Sequence, residues 1–180
     1  MFAAASDNAE PKRRVAESLV KEMTDAEKEE FNALPVLEIE DMEQVNYLHT
    51  IAEGWAYPLK RFMNEQEFLE SMNMNTVTDA DGKKHILSVP ITHHITAAQK
   101  EAMKDHKRIA LKCSKISDDV LAVIEEPEFF DNRKEEICTK TFGTRSVLHP
   151  KIERMEEQGE FLISGKSMRF TQHIQFGDGM

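Results

Sequence analysis

Short apolar runs and helix-start signals follow one another along this chain in an irregular order, and that order constrains the fold more than any other feature. Arg108–Lys112 and Val120–Ile124 are apolar runs on either side of a polar turn at Ser117–Asp119, which is typical of a β-hairpin. Further strands are predicted at Val36–Ile39, His85–Val89, Phe161–Ile163 and Met168–Ile174, the last two joined by a turn at Ser164–Gly165. Because no strand–helix–strand period connects the runs, the pattern predicts an α+β domain with a strand-rich centre.

Helix starts are marked by capping residues, whose side chains accept hydrogen bonds from the first turn of a helix. Thr24–Glu27 and Thr96–Gln99 are capping boxes, and Asn64 is placed to cap a helix that carries Phe68. Residues 132–141 are predicted to form a helix ended by Gly143, since glycine readily adopts the left-handed conformation past a helix end. A last helix is predicted between Pro150 and Gly159.

The N-terminal region is more polar than the rest of the chain and has few large apolar residues of its own. Pro11 stands where a helix can start, and Val15, Leu19 and Met23 are spaced as a thin apolar stripe on one helix face. This spacing predicts a helical arm or linker over residues 1–33. The folded domain is then expected over residues 34–180.

Composition excludes several classes of protein. The 180 residues carry 23 Lys and Arg against 33 Asp and Glu, a net charge of −10, which argues against a protein that grips a nucleic-acid backbone. No apolar run approaches the length of a membrane span. Cys113 and Cys138 have no metal or redox spacing and are expected to be reduced thiols. Transit peptides are poor in acidic residues, whereas Asp7 and Glu10 stand near the N-terminus of this sequence. We therefore expect a cytoplasmic protein, with an organelle such as the plastid left open.

Residue chemistry alone identifies no catalytic or metal-binding residue. The adjacent His93 and His94 point to opposite faces in an extended segment, so we interpret them as surface histidines of a loop. Asp79–Gly82 is interpreted as a turn, because the full calcium loop would need an acidic residue near Thr92. The seven glycines form no phosphate-binding loop. We interpret a basic cluster as a solvated helix face; its members are Lys100, Lys104, Lys107, Arg108, Lys112 and Lys115.

A run of ordered motifs nevertheless identifies a family. Ile51–Met63 followed by Glu67–Leu69 resembles the E-G-W-A-x-P-L-x-G-F-M-x-E-x-E-[FY]-L signature of the N-terminal domain of ATP sulfurylase. The resemblance is greatest to the form found in bifunctional phosphoadenosine-phosphosulfate synthases and plant-type sulfurylases. It continues in order to the end of the chain, through Leu87–Ile91, Ala122–Ile124, Pro127–Phe130, Arg133–Glu136, Phe142–Thr144, His149–Pro150, Glu157–Gly159 and Phe161–Ile163.

The resemblance implies a PUA-like pseudo-barrel of short mixed strands with peripheral short helices. Full-length enzymes of this family make adenosine phosphosulfate and pyrophosphate from ATP and sulfate, with magnesium expected alongside ATP. Their catalytic groups lie in a downstream nucleotidyltransferase domain with Q-x-R-N-P, H-x-G-H and G-R-D motifs, none of which occurs in this sequence. We therefore expect a domain that supports and docks the catalytic domain and is inactive alone. No nucleic-acid or membrane partner is expected.

The family-signature residues are expected to be mainly structural, as turns and core anchors. They are Glu53, Gly54, Trp55, Pro58, Leu59, Phe62, Met63, Arg133, Lys134, Glu135, Glu136, Gly143 and Thr144. One position departs from the family pattern, because Arg61 replaces the glycine of P-L-x-G-F-M. If that glycine has positive φ in relatives, Arg61 is expected either to be strained or to mark a rearranged turn. A stand-alone PUA-like binding or assembly module without catalysis is the alternative, and a homo-oligomer is left open.

Overall fold

A five-stranded mixed sheet forms the centre of the computed structural model, which describes residues 16–176. The strands lie in the order β1-β5-β6-β7-β4, with β1 parallel to β5 and the other neighbours antiparallel. A separate hairpin joins β2 to β3. The strand bounds are β1 Val36–Glu38, β2 Thr76–Thr78, β3 Lys84–Ile86, β4 His93–Ile95, β5 Arg108–Cys113, β6 Ser117–Asp131 and β7 Phe161–Phe170.

Short helices surround this sheet. The capping boxes form as predicted at Thr24–Glu27, Asn64–Glu67 and Thr96–Gln99, each with both reciprocal hydrogen bonds. Gly143 ends a short π-helix, Cys138–Phe142, at a φ of 66°. The α-helices of the described chain are α1 Asp25–Asn32, α2 Met42–Ala52, α3 Glu65–Met74, α4 Ala97–Met103, α5 Lys134–Ile137 and α6 Pro150–Glu156.

The core lies between the sheet and helices α2 and α3. Val45, Leu48 and Ile51 of α2 are fully buried at helical spacing, and Phe68 of α3 packs against Phe130 of β6 at a ring-centroid distance of 5.7 Å. A second, smaller cluster centres on Phe31 of α1, on the other side of the sheet strands β5 and β6. The α+β class with a strand-rich centre is confirmed.

The N-terminal segment departs from the predicted helical arm. Residues 16–21, here called the strap, run extended and bridge strand β7 through Val20 and Phe170. The Leu19 N–H donates to the carbonyl oxygen of Ala52 at 2.7 Å, which ties the strap to the end of α2. The predicted helix through Leu19 and Met23 is therefore wrong for residues 16–23, because backbone pairing with the sheet replaces helical pairing. Pro11 and Val15 lie outside the described residues.

Two strand predictions also need correction. Phe161–Phe170 is one continuous strand, and Gly165, predicted as a turn, lies in its middle. A Cβ at residue 165 would stand 2.5 Å from the Ile124 side chain, so this glycine allows β6 and β7 to approach closely. The predicted strand from His85 ends at Ile86, and the next strand is His93–Ile95.

Candidate functional site

The family-signature segment, residues 53–63, forms a compact loop between α2 and α3. Gly54 adopts a φ of 72°, and the N–H groups of Trp55 and Ala56 donate to the carbonyl oxygen of Thr50 at 3.0 and 3.3 Å. The Leu59 N–H donates to the Ala56 carbonyl at 2.9 Å. These backbone hydrogen bonds give the signature loop a fixed shape without regular secondary structure.

Three apolar side chains in the second half of the signature loop are buried. Leu59, Phe62 and Met63 are at most 4% exposed, and Pro58 follows a cis peptide bond. The buried Ser164 hydroxyl of β7 donates to the Phe62 carbonyl oxygen at 2.6 Å. These residues therefore lie in the core and anchor the loop to the sheet.

The first half of the signature loop is exposed and lines a groove. Trp55 is 65% exposed, although tryptophan is a residue that folding usually covers. The groove has a volume of about 550 Å³, and we call it the aromatic groove; its walls include Glu17, Leu19, Trp55, Tyr57 and Lys60. This volume is within the range of ligand and peptide sites.

Histidine rings hold the aromatic side chains of this surface in place. Trp55 packs edge-on against His49 with ring centroids 5.3 Å apart, and Phe176 contacts the same imidazole at 5.4 Å. Tyr57 packs edge-on against His85 and donates its hydroxyl proton to Asp79 at 3.2 Å. Hydrogen bonds from His85, first of all, and from the Lys83 backbone lower the pKa of Asp79 to about 2. This carboxylate is therefore ionised at any physiological pH.

The second group of signature residues, 133–136, braces the fold instead of facing the aromatic groove. Arg133 lies 3.3 Å from Glu65 in the first turn of α3. The Lys134 ammonium donates to the carbonyl oxygens of Glu156, at 3.0 Å, and Gln158. The cation therefore holds the C-terminal end of α6, where helix carbonyls lack partners of their own.

The remaining signature residues make contacts within the same region. Glu135 pairs with Arg145 at 2.5 Å, and Glu136 lies 3.6 Å from Arg133. Thr144 Oγ1 accepts a hydrogen bond from the Ser146 N–H at 3.1 Å. Together with the helix end at Gly143, these contacts shape the turn that precedes α6.

Arg61 has no positive φ, so of the two alternatives for this departure from the family pattern the strained one is wrong. The non-glycine residues with positive φ in the described chain are Asn75 and Glu126. Arg61 instead forms a forked ion pair with Glu67, at 2.6 and 3.3 Å, and donates to the Phe62 carbonyl at 3.0 Å. Because Glu67 also caps α3, the arginine ties the signature loop to that helix.

The two adjacent histidines are not surface residues of a loop, so that interpretation is wrong. His93 is 2% exposed on β4 and stacks on Phe62 with ring centroids 5.2 Å apart. Burial, with a smaller effect of His94, lowers the pKa of His93 to about 3. Its Nδ1 atom has no hydrogen-bond partner in the described part of the chain. The burial of His93 depends on the pairing of β4 with β7, about 68 residues away, and local sequence patterns do not predict a contact at that separation.

His94 faces a small polar cavity of about 40 Å³ on the other side of β4. Its Nδ1 atom accepts from the Gly159 N–H at 3.3 Å, and its Nε2 atom lies 3.6 Å from Asp41. Beside it, the Tyr47 hydroxyl donates to Glu43 at 2.8 Å, and Lys151 pairs with the same carboxylate. Burial would raise the pKa of Glu43, but the hydrogen bonds from Lys151 and Tyr47 lower it overall. These charges are thus compensated within the domain.

The basic cluster does not form one helix face. Lys100 lies on α4 and Lys104 directly follows that helix, whereas Arg108 and Lys112 lie on β5. Lys100 stands 3.6 Å above the Phe161 ring, and Arg108 pairs with Glu30 and Glu125. These cations are engaged within the fold.

A cluster of metal-binding side chains and a membrane-spanning helix are both absent from residues 16–176. That part of the chain holds no group of three or more His, Cys, Asp or Glu side chains arranged to bind a metal ion. Among its helices, none has the length and apolar character needed to cross a membrane. Cys113 and Cys138 are both buried free thiols.

Comparison with known proteins gives consistent matches across most of the chain. A family model described as a PUA-like domain matches residues 9–172. ATP sulfurylase 2 of Arabidopsis thaliana is 30% identical over 154 residues, which are 85% of this chain and 32% of the relative. ATP sulfurylase 4, chloroplastic, of the same plant is 31% identical over 137 residues, or 76% of this chain and 29% of the relative. The chain thus spans about a third of the length of these curated relatives.

Two more distant proteins extend the comparison. A sulfate adenylyltransferase of Entamoeba histolytica is 26% identical over 140 residues, which are 76% of this chain and 32% of that protein. Among solved structures, a hexameric APS kinase from Thiobacillus denitrificans superposes with a TM-score of 0.60 at 18% identity. The superposition covers 91% of this chain and 27% of the other. This last likeness shows the fold.

Proposed function

Because this chain belongs to the PUA-like domain family and is related to one part of sulfate adenylyltransferases, we propose that it is the N-terminal domain of such an enzyme. In this proposal the complete enzyme converts ATP and sulfate into adenosine phosphosulfate and pyrophosphate. One observation carries the proposal: the matches extend over most of this chain, but over only about a third of each curated relative.

The proposed role of the domain is support and docking, without catalysis by the domain alone. Transfer of an adenylyl group requires side chains and backbone donors that position phosphates and stabilise their charge. The sequence has no Q-x-R-N-P, H-x-G-H or G-R-D motif to supply them. Its half-buried charged groups, such as Glu43 and Lys151, are paired with each other. The chemistry is therefore assigned to the nucleotidyltransferase part.

ATP and magnesium are assigned to that part for the same reason. The described residues do not fit the nucleotide and its metal, since they contain no cluster of three metal-binding side chains. The glycines of the whole sequence form no phosphate-binding loop. We accordingly derive no step of the reaction through residues of this chain.

A reconstitution assay tests the proposal. Pyrophosphate release from ATP, magnesium and sulfate is measured with this chain alone, with the part of A. thaliana ATP sulfurylase 2 outside the match alone, and with both. We expect no turnover by this chain alone, and a complex together with higher activity in the mixture. Turnover by the chain alone would refute catalytic inactivity, and the absence of a complex would refute docking.

The assay also separates the alternative function. A stand-alone PUA-like module would leave the activity of the nucleotidyltransferase part unchanged and would form no complex with it. The matched control is the same chain carrying His93→Asp, which places a carboxylate in the core and is expected to unfold the domain. An increase in activity that this variant also produces would be nonspecific.

A further inference from the structure

We propose that the aromatic groove, with Trp55 at its centre, is the surface on which the nucleotidyltransferase part of the enzyme docks. The inference rests on the proposed function and gives it a specific contact surface. The groove lies beside the strap and the end of α2, and it is formed by the exposed half of the signature loop.

The exposure of Trp55 is the first observation. The chain contains a single tryptophan, and 65% of that residue's surface is open to solvent. Tyr57 beside it is 37% exposed, and Lys60 is exposed at the same rim. Tryptophan and tyrosine are enriched among the residues that contribute most to binding between proteins. Two exposed aromatic side chains on the wall of one groove therefore indicate a contact site.

The rigidity of the loop is the second observation. Backbone hydrogen bonds to Thr50 fix the residue that carries the indole, and the edge of His49 supports the ring at 5.3 Å. On either side, the loop is anchored by Gly54 against the strap and by the buried Leu59. A side chain held in this way loses little conformational entropy on binding, so the surface is preorganised for a partner.

The position of the last described segment identifies the partner. Phe176 also packs against the His49 ring, with ring centroids 5.4 Å apart, and His173 is 2.6 Å from Glu53 at the start of the signature loop. The segment 171–176 therefore leads the chain to the rim of the aromatic groove. In the proposed enzyme the nucleotidyltransferase part follows this domain, so the chain would leave for that part from a segment that ends beside His49, the residue that also contacts Trp55.

The single tryptophan permits a direct test on the full chain. The protein is labelled with 5-fluorotryptophan, which places one fluorine at residue 55, and is titrated with the folded, unlabelled part of A. thaliana ATP sulfurylase 2 outside the match. We expect the fluorine resonance to shift on complex formation. We also expect Trp55→Ala to raise the dissociation constant of the complex by about tenfold or more.

Leu148→Ala is the matched control, because Leu148 is an apolar side chain 91% exposed on the separate loop before α6. It should leave the dissociation constant unchanged. Trp55→Lys is a second variant, and thermal unfolding of each variant verifies that it is folded. Suppose the wild-type complex forms, but its formation does not shift the Trp55 fluorine resonance and neither Trp55 variant changes the dissociation constant. The docking surface is then wrong, while the proposed function stands. If no wild-type complex forms, docking itself fails and this inference fails with it.

Discussion

Gly54 lies so close to the strap that a Cβ atom at residue 54 would stand 2.2 Å from the carbonyl oxygen of Glu17. Its φ of 72° is also one that other residues adopt only at a cost. Two independent requirements for glycine therefore meet at the first turn of the signature loop.

Gly54→Ala is expected to destabilise the domain through both requirements. The left-handed conformation costs about 1–2 kcal/mol for alanine. Displacing the strap backbone adds a cost typical of overpacking, about 1–3 kcal/mol. Urea unfolding followed by circular dichroism measures the sum. Gly82→Ala is the control, because its φ is 78° but a Cβ there meets nothing within 4 Å; equal losses for the two variants would show that the strap does not constrain residue 54.

Arg61→Gly, which restores the family's glycine, is expected to lower stability. It removes the forked pair with Glu67, whose two side chains are only 18% and 23% exposed, and a hydrogen bond to the Phe62 carbonyl. We expect a loss of about 1–2 kcal/mol in the free energy of unfolding. Lys60→Gly is the control, because it introduces the backbone freedom of glycine at the neighbouring position. A stabilised Arg61→Gly variant would mean that the arginine is strained after all.

Acidification is expected to destabilise the domain through His93. Its pKa is about 3 in the folded protein and near its ordinary 6.5 in the unfolded chain, so below pH 6.5 the unfolded state binds the proton first. The stabilisation is complete above pH 6.5 and declines as the pH falls toward 3, by at most about 1.4 kcal/mol per pH unit.

His93→Phe keeps a ring against Phe62 and removes this titration. The variant should lose less stability than the wild type between pH 7.5 and pH 5, as followed by urea unfolding at each pH. His106→Asn, at an exposed position after α4, is the control and should retain the wild-type slope. A His93→Phe slope identical to that of the wild type would exclude His93 as the source.

Lys134→Met is expected to loosen α6. Removing the ammonium leaves the carbonyl oxygens of Glu156 and Gln158 without their charged donor, at an expected cost of about 1–2 kcal/mol. Hydrogen exchange should show that the substitution speeds exchange of the α6 amides more than exchange of the β6 amides. Lys166→Met, which removes a largely exposed pair with Glu126, should cost well under 1 kcal/mol. Comparable effects of the two substitutions would contradict the bracing role.

Features with local causes were predictable from the sequence. The capping boxes at Thr24, Asn64 and Thr96 depend on residues three positions apart, and the β5–β6 hairpin depends on one short turn. Gly143 likewise ends its helix through its own conformation. In each case, the interaction that determines the structure lies within a few residues of the signal.

Features set by distant contacts were not predictable in this way. Leu19 has the spacing of a helix face, yet the strap extends because β7 and the end of α2 offer it hydrogen-bond partners. Gly165 has the composition of a turn, but the approach of Ile124 determines its place in a strand. At the candidate site, the signature motif identified the loop, whereas the exposure of Trp55 and the burial of His93 depend on how the sheet closes around them.

The strap and segment 171–176 both contact the C-terminal end of α2, so the chain enters and leaves the described fold at neighbouring points. A folded unit whose two ends lie close together can be inserted into a longer polypeptide, because the insertion barely separates the segments before and after it.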